Sequence, residues 1–223
     1  MQNSGKNKPQ IIDLTQNSQT GSFCVHLGTL LRKKDKHIFQ FVSTRQQEGV
    51  TTFAVNAARL LAVSEKSWKI LLVDANFQHP QLKAVFDLPD TPGLLHLLSG
   101  ESAAAEVAHQ VRPENLYVIP TGLEAGKLAP ELSAEQLSQV LKSLQAHFDC
   151  ILLDSVPLTA SHNAIIAALA SDETFLVVQS GRNHVKVMQK AVSLLTRSNC
   201  SINTAVLNRI VRPVPKWLYN RLS

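Results

Sequence analysis

No part of this 223-residue chain approaches the run of roughly 18–20 apolar residues that a membrane-spanning helix needs. The polar start Met1-Gln-Asn-Ser-Gly-Lys-Asn-Lys8 also lacks the apolar stretch of a secretory signal, so a cytoplasmic protein is expected. Cysteine is scarce. Cys24, Cys150 and Cys200 have no metal-ligand spacing, and an odd count in such a compartment argues against a disulfide framework, leaving them as small core or surface residues. Tyrosine is scarcer still, at Tyr117 and Tyr219. Acid is missing from residues 209–223, which hold four Lys/Arg, and residues 1–38 hold six Lys/Arg against two Asp. The middle is therefore left at −3 although the whole chain is +5. Basic ends suit weak contacts with an anionic membrane surface. The acidic middle and the lack of a helix-turn-helix signal argue against nucleic acid as a partner.

What is present is a large apolar fraction, 44%, in a chain long enough for one sizeable α/β domain with a buried core. Strand-like runs at 38–43, 69–74, 116–120, 150–154, 174–179 and 202–207 are rich in Leu and β-branched residues without alternation, as in strands covered on both faces. Helical periodicity falls between them, at 51–64, 133–147, 161–170 and 183–198, with a shorter helix at 93–98. This alternation predicts a doubly wound, mostly parallel α/β sheet with helices on both faces and ligands at the carboxyl ends of the strands. We divide the chain into a polar, basic and partly disordered segment 1–37, a P-loop-like domain 38–210, and a basic-aromatic tail 211–223. In that tail Pro213 and Pro215 stiffen the lead into Trp217, Leu218 and Leu222, with Lys216 and Arg221 among them, a mixture suited to docking on a partner or a membrane.

The first strand and helix are joined by Ser43-Thr-Arg-Gln-Gln-Glu-Gly-Val-Thr-Thr52. A phosphate-binding loop reads G-x-x-x-x-G-K-[ST], in which backbone N–H groups face the phosphates, the lysine reaches their oxygens and the hydroxyl binds magnesium. Here those positions are Thr44, Gly49, Val50 and Thr51, so the lysine is replaced by valine. Two strand-end aspartates, Asp74 and Asp154, lie where a magnesium-nucleotide is expected, and Thr51, Asp74 and Asp154 form the candidate metal ligands. His79 and His162 fall nearby but have no evident carboxylate partner, and are read as polar loop residues.

Several separated motifs together resemble the cytoplasmic domain of bacterial tyrosine autokinases, within the wider ParA/MinD group of P-loop ATPases. They are Ser43…Glu48-Gly-Val-Thr-Thr52…Asn56-Ala-Ala58, Leu71-Leu-Val-Asp-Ala-Asn-Phe-Gln-His-Pro80, Gly93-Leu-Leu95…Leu98-Ser-Gly100, Leu116 to Gly122, Phe148 to Asp154, Phe175-Leu-Val-Val178 and Val206-Leu-Asn-Arg209. The resemblance spans about 40–210. It implies nucleotide contacts at Arg45, Glu48, Gly49, Val50, Thr51, Thr52, Asp74, Asp154, Asn208 and Arg209, with ATP or ADP and Mg²⁺ as ligands, weakly bound or lost. It also implies exopolysaccharide or capsule synthesis beside a membrane chain-length regulator or another export protein. A homodimer and contact with the membrane surface are further expectations.

The departures are equally specific. The family carries P-G-E-G-K-S-T where this chain has Gln46 to Thr52, and a second aspartate where it has Asn76. Its ring-building E-x-x-R-x-x-R helix matches Gly21, Cys24 and Leu27, and its tail tyrosine cluster is reduced to Tyr219. Losing one charge-assisted hydrogen bond of about 1.5–3 kcal/mol weakens nucleotide binding by roughly tenfold to a hundredfold. Turnover suffers more, because the lysine neutralises charge that develops in the transition state. The favoured reading is a non-catalytic or weakly nucleotide-binding relative of the kinases, with a degenerate loop. The alternative is an active ParA/MinD-type ATPase that positions membrane machinery, in which Arg45, at that group's extra signature lysine, restores the cation. A nucleic-acid-binding partition protein is the least favoured.

Overall fold

The computed structural model describes residues 18–32, 37–124, 126–128, 130–179, 185–200 and 202–208. The polar segment 1–17 and the tail from 209 onward, with Arg209, Trp217 and Tyr219, lie outside the described residues.

Seven strands form one sheet in the order β3-β4-β2-β5-β1-β6-β7. They are β1 (Ile38–Ser43), β2 (Ile70–Ala75), β3 (His109–Val111), β4 (Leu116–Ile119), β5 (Cys150–Ser155), β6 (Glu173–Gln179) and β7 (Ile202–Asn208). Every pairing is parallel except that of β3 with β4. The central strands β1, β2 and β5 are buried along their whole length, which explains their unbroken apolar character. The predicted α/β architecture is the observed one, with element ends displaced by no more than a few residues.

The helices are α1 (Ser18–Arg32), α2 (Val50–Ser64), α3 (Leu82–Val85), α4 (Leu94–Leu98), α5 (Ala104–Val107), α6 (Ala134–Leu144), α7 (Asn163–Leu169) and α8 (Val185–Arg197). Side chains alternate between faces along a strand. Phe39 and Phe41 of β1 and Ile70 and Leu72 of β2 therefore pack with α1 and α2, while Leu71 and Val73 join α4 and α6 on the opposite face. A third cluster gathers Val42, Leu176 and Val178 with α7 and α8.

Helix α1, strand β3 and the one-turn helices α3 and α5 escaped the sequence reading. Helix α1 lies before residue 38, where no element was expected, and it places Phe23, Leu27 and Leu31 in the main core. Phe23 packs edge-on to Phe53 and Phe175, with ring centroids 5.0 and 4.9 Å away, and tilts against Phe41 at 5.8 Å. Strand β3 is a short edge strand with partly exposed residues, which gave no apolar run to detect.

Candidate functional site

Because β1, β2 and β5 run parallel and adjacent, the loops that follow them share one edge of the sheet. Residues 44–49 follow β1, 76–81 follow β2 and 156–162 follow β5. The chain ties these loops together. The Thr159 hydroxyl donates to the Thr44 carbonyl at 2.8 Å, and the Leu158 N–H donates to the Ser43 carbonyl at 2.9 Å. Gln78 Nε2 donates to the Ala160 carbonyl at 3.0 Å, and Gln46 Nε2 lies 3.1 Å from His79 Nε2.

The β1–α2 loop takes its shape from two left-handed residues and one internal carboxylate. Gln47 has φ 64° and Gly49, the N-cap of α2, has φ 84°. Only the glycine adopts that region at no steric cost. In the family pattern P-G-E-G-K-S-T the second residue, a glycine, falls on Gln47, and the positive φ there agrees with that preference. Glu48 is almost fully buried, at 1% exposure. Its carboxylate accepts the N–H groups of Thr44 and Arg45 at 2.9 and 3.1 Å, and the Thr44 hydroxyl at 3.0 Å. Glu48 is thus turned into the loop.

The other predicted residues fall around this loop. Val50 opens α2 and is 8% exposed, its side chain packed in the main hydrophobic cluster. Thr51 and Thr52 are half-buried in the same first turn. The first N–H groups of a helix have no carbonyl one turn back to bond, which leaves those of Val50, Thr51 and Thr52 available to an anion. Arg45 is exposed, and its guanidinium pairs with no described residue. Asn208 ends β7, on the far side of β6 from the loop, and its side chain and Arg209 lie outside the description.

Asp74 and Asp154 face each other in register at the ends of β2 and β5, both fully buried. The Asp74 carboxylate accepts backbone N–H groups from Asn76, Gln81 and Leu82 at 3.0–3.1 Å, so it organises the turn into α3. Burial nevertheless raises its pKa to about 6, against the lowering effect of those bonds. Asp154 is raised well above the usual carboxylate range, by burial first and by the Asp74 charge second. The neighbouring Thr51 hydroxyl acts in the opposite direction, yet neither Asp154 oxygen has a hydrogen-bonding partner in geometric terms among the described residues. A buried carboxylate without a donor is costly, and a bound cation is the ordinary remedy. Asn76, at the position of the family's second aspartate, instead accepts the His79 N–H at 3.1 Å and closes the turn.

Beside this edge lies an open groove of about 830 Å³, lined by Pro80, Lys83, Asp87, His96, Thr121 and Glu124 among others. It contains none of the loop residues 43–52.

The profile of a family described as an AAA domain matches residues 40–206. The chain belongs to this AAA-domain family. Among its curated relatives is the putative tyrosine-protein kinase CapB of Staphylococcus aureus, 25% identical over 174 residues, which are 78% of this chain and 75% of that protein. The solved kinase domain of VpsO is similar in fold, with a TM-score of 0.77, 24% identity, and coverage of 89% of this chain and 96% of that one. The septum site-determining protein MinD of Pyrococcus horikoshii, complexed with Mg-ADP, superimposes with a TM-score of 0.62 at 25% identity over 83% of this chain and 76% of that one. The expected kinship with bacterial tyrosine kinases and MinD-like ATPases is thereby established. No helix among the described residues is long and apolar enough to cross a membrane.

Proposed function

We propose that this chain is a non-catalytic, weakly nucleotide-binding relative of the bacterial tyrosine kinases. It serves as a component of exopolysaccharide or capsule assembly and export, beside a membrane chain-length regulator or another export protein. The observation that carries the loss of catalysis is Val50, an aliphatic side chain packed into the core at the position of the phosphate-binding lysine.

The donor set fits a magnesium-nucleotide for binding. The first-turn amides of α2 would meet the phosphates, while Thr51, Asp74 and Asp154, whose oxygens meet no geometric donor among the described residues, would hold the ion. Magnesium, when bound, neutralises phosphate charge. The chain's own residues do little beyond this. Glu48 occupies the amides of Thr44 and Arg45, Val50 offers no cation, and Gln47 holds a strained backbone where glycine would relax. These residues position a ligand without stabilising the charge that phosphoryl transfer develops.

The test is a steady-state phosphate-release and autophosphorylation assay on the full chain. We expect no turnover. A rate near 1 s⁻¹, the low end of roughly 1–100 s⁻¹ for kinases, overturns the reading. The exposed Arg45, whose guanidinium pairs with no residue among those described, favours a second reading, an active ATPase of the MinD type in which this guanidinium serves the phosphates. In that case turnover is measurable and Arg45→Ala abolishes it.

A further inference from the structure

The groove of about 830 Å³ beside the loop edge is walled by the segments that follow β2 and β4 in the chain. Its floor is fixed. Gly93 seats the start of α4 directly on the end of β4, where a Cβ would lie 2.2 Å from the Pro120 carbonyl oxygen, and a Cβ on Gly122, at φ 71°, would lie 2.6 Å from the Gly93 nitrogen. The Leu94 and Leu95 N–H groups donate to the carbonyls of Pro120 and Thr121 at 2.8 and 3.0 Å. On this floor Pro80, Leu88, Pro92 and Leu123 line the groove and none of them is buried, so apolar surface is left to water. Among the lining side chains Lys83 stands against Asp87, Asp90 and Glu124, a net charge of −2. Lys83 pairs with Asp90, and Glu124 with Lys127 at 3.0 Å, but exposed pairs of this kind contribute little and yield readily to another cation. A preformed apolar groove with an acidic rim suits a basic segment that carries a large apolar side chain.

The chain itself contains such a segment. Residues 209–223 hold four Lys/Arg and no acid, with Trp217 and Leu218 among them. Because β7 belongs to the parallel part of the sheet, the chain leaves Asn208 at the same edge as the ends of β2 and β4. Four strand spacings separate β7 from β2 and five separate it from β4, roughly 19 and 24 Å at about 4.8 Å each. The nine residues from 208 to 217 reach roughly 28 Å at about 3.1 Å per residue, the extended form that Pro213 and Pro215 favour. The reach covers the gap.

We infer that segment 211–223 docks in the groove of its own chain, with Trp217 on the apolar lining and Lys216 and Arg221 against Asp90 and Glu124. A short link supplies an effective concentration on the order of 1 mM, so a contact with a dissociation constant of about 0.1 mM as a separate peptide leaves the segment seated about nine times in ten. The contact does not depend on nucleotide binding.

The experiment follows Trp217 alone, in the full chain carrying Trp68→Phe, by acrylamide quenching of its fluorescence, with the peptide 209–223 as the unprotected reference. The quenching constant in the chain should be at least about threefold below that of the peptide. It should return to the peptide's value when Asp90→Lys and Glu124→Lys turn the lining from −2 to +2. Those two side chains are 97% and 73% exposed, so the fold tolerates the exchange, and a thermal melt checks it. Equal quenching in chain and peptide overturns the inference, as does protection gained only on adding phosphatidylglycerol vesicles, which assigns the segment to a membrane. Protection that the double variant leaves intact overturns the groove as its seat. Protection lost on dilution from about 10 µM to about 0.1 µM assigns the segment to a second copy of the chain and overturns the intramolecular contact.

Discussion

Asp74 and Asp154 are register partners on adjacent parallel strands, both fully buried, yet Asp74 accepts three backbone N–H groups and Asp154 accepts none among the described residues. Replacing them should therefore have unequal effects. Burial and the neighbouring Asp74 charge hold Asp154 protonated at neutral pH, so Asp154→Asn exchanges one neutral group for another and should change the unfolding free energy by less than about 1 kcal/mol. Asp74→Asn leaves at least one backbone N–H of the turn without its acceptor, and should lower it by about 1–3 kcal/mol. Denaturant melts of the two variants compare them directly. Equal destabilisation by both would mean that Asp154 has a donor after all.

Stability should also depend on pH in a definite direction. The Asp74 carboxyl titrates at about 6 in the fold against 3.8 when unperturbed. Between those values the folded state holds a proton that the unfolded state has released. This contribution is complete below the lower value and is lost as pH rises through the upper one, a change of up to about 3 kcal/mol at 1.36 kcal/mol per unit. Unfolding midpoints measured from about pH 4 to about pH 7 should fall, and addition of Mg²⁺ should flatten the decline by favouring the ionised pair. A midpoint that rises over this range contradicts the account.

Helix α1 is anchored in the main core by Phe23, Leu27 and Leu31. Phe23 meets Phe41, Phe53 and Phe175 at once, so Phe23→Ala should cost about 3–5 kcal/mol, as for a fully packed phenylalanine. Chemical denaturation measures it. A loss below about 1 kcal/mol would show that α1 rests on the core without contributing to it.

Gln47→Gly should stabilise the chain. Relief of a left-handed backbone worth about 1–3 kcal/mol outweighs the extra flexibility of glycine in the unfolded state, about 0.5–1 kcal/mol, which leaves a net gain of about 1 kcal/mol. A thermal melt of that variant at lower temperature than the parent would show that the loop draws no strain from this residue.

The sheet was legible because its strands are covered on both faces. Phe39, Phe41, Leu71, Leu72, Leu152 and Leu153 are apolar whichever way they point, and such runs stand out. Helix α1 was not legible. Its sequence SQTGSFCVHLGTLLR has no acidic first turn and two interior glycines, Gly21 and Gly28, so propensity argues against a helix that tertiary contacts through Phe23 and Leu27 impose. Strand β3 is three residues long and paired on one side, too short for any periodicity. At the site, Asp74 and Asp154 were visible as strand-end carboxylates and Gln47 as a misplaced side chain. The inward turn of Glu48 and the lack of a donor for Asp154 were not visible, since both depend on where the neighbouring backbone amides point.

The bonds from Thr159 to Thr44, from Gln78 to Ala160 and from Gln46 to His79 close a triangle of loops. A ligand, metal or protein that displaces the β1–α2 loop would therefore strain the turn before α3 and the entry to α7 through these bonds, so that the three loops are coupled. The surface offered to a partner would then report occupancy of the edge as a whole, with or without turnover.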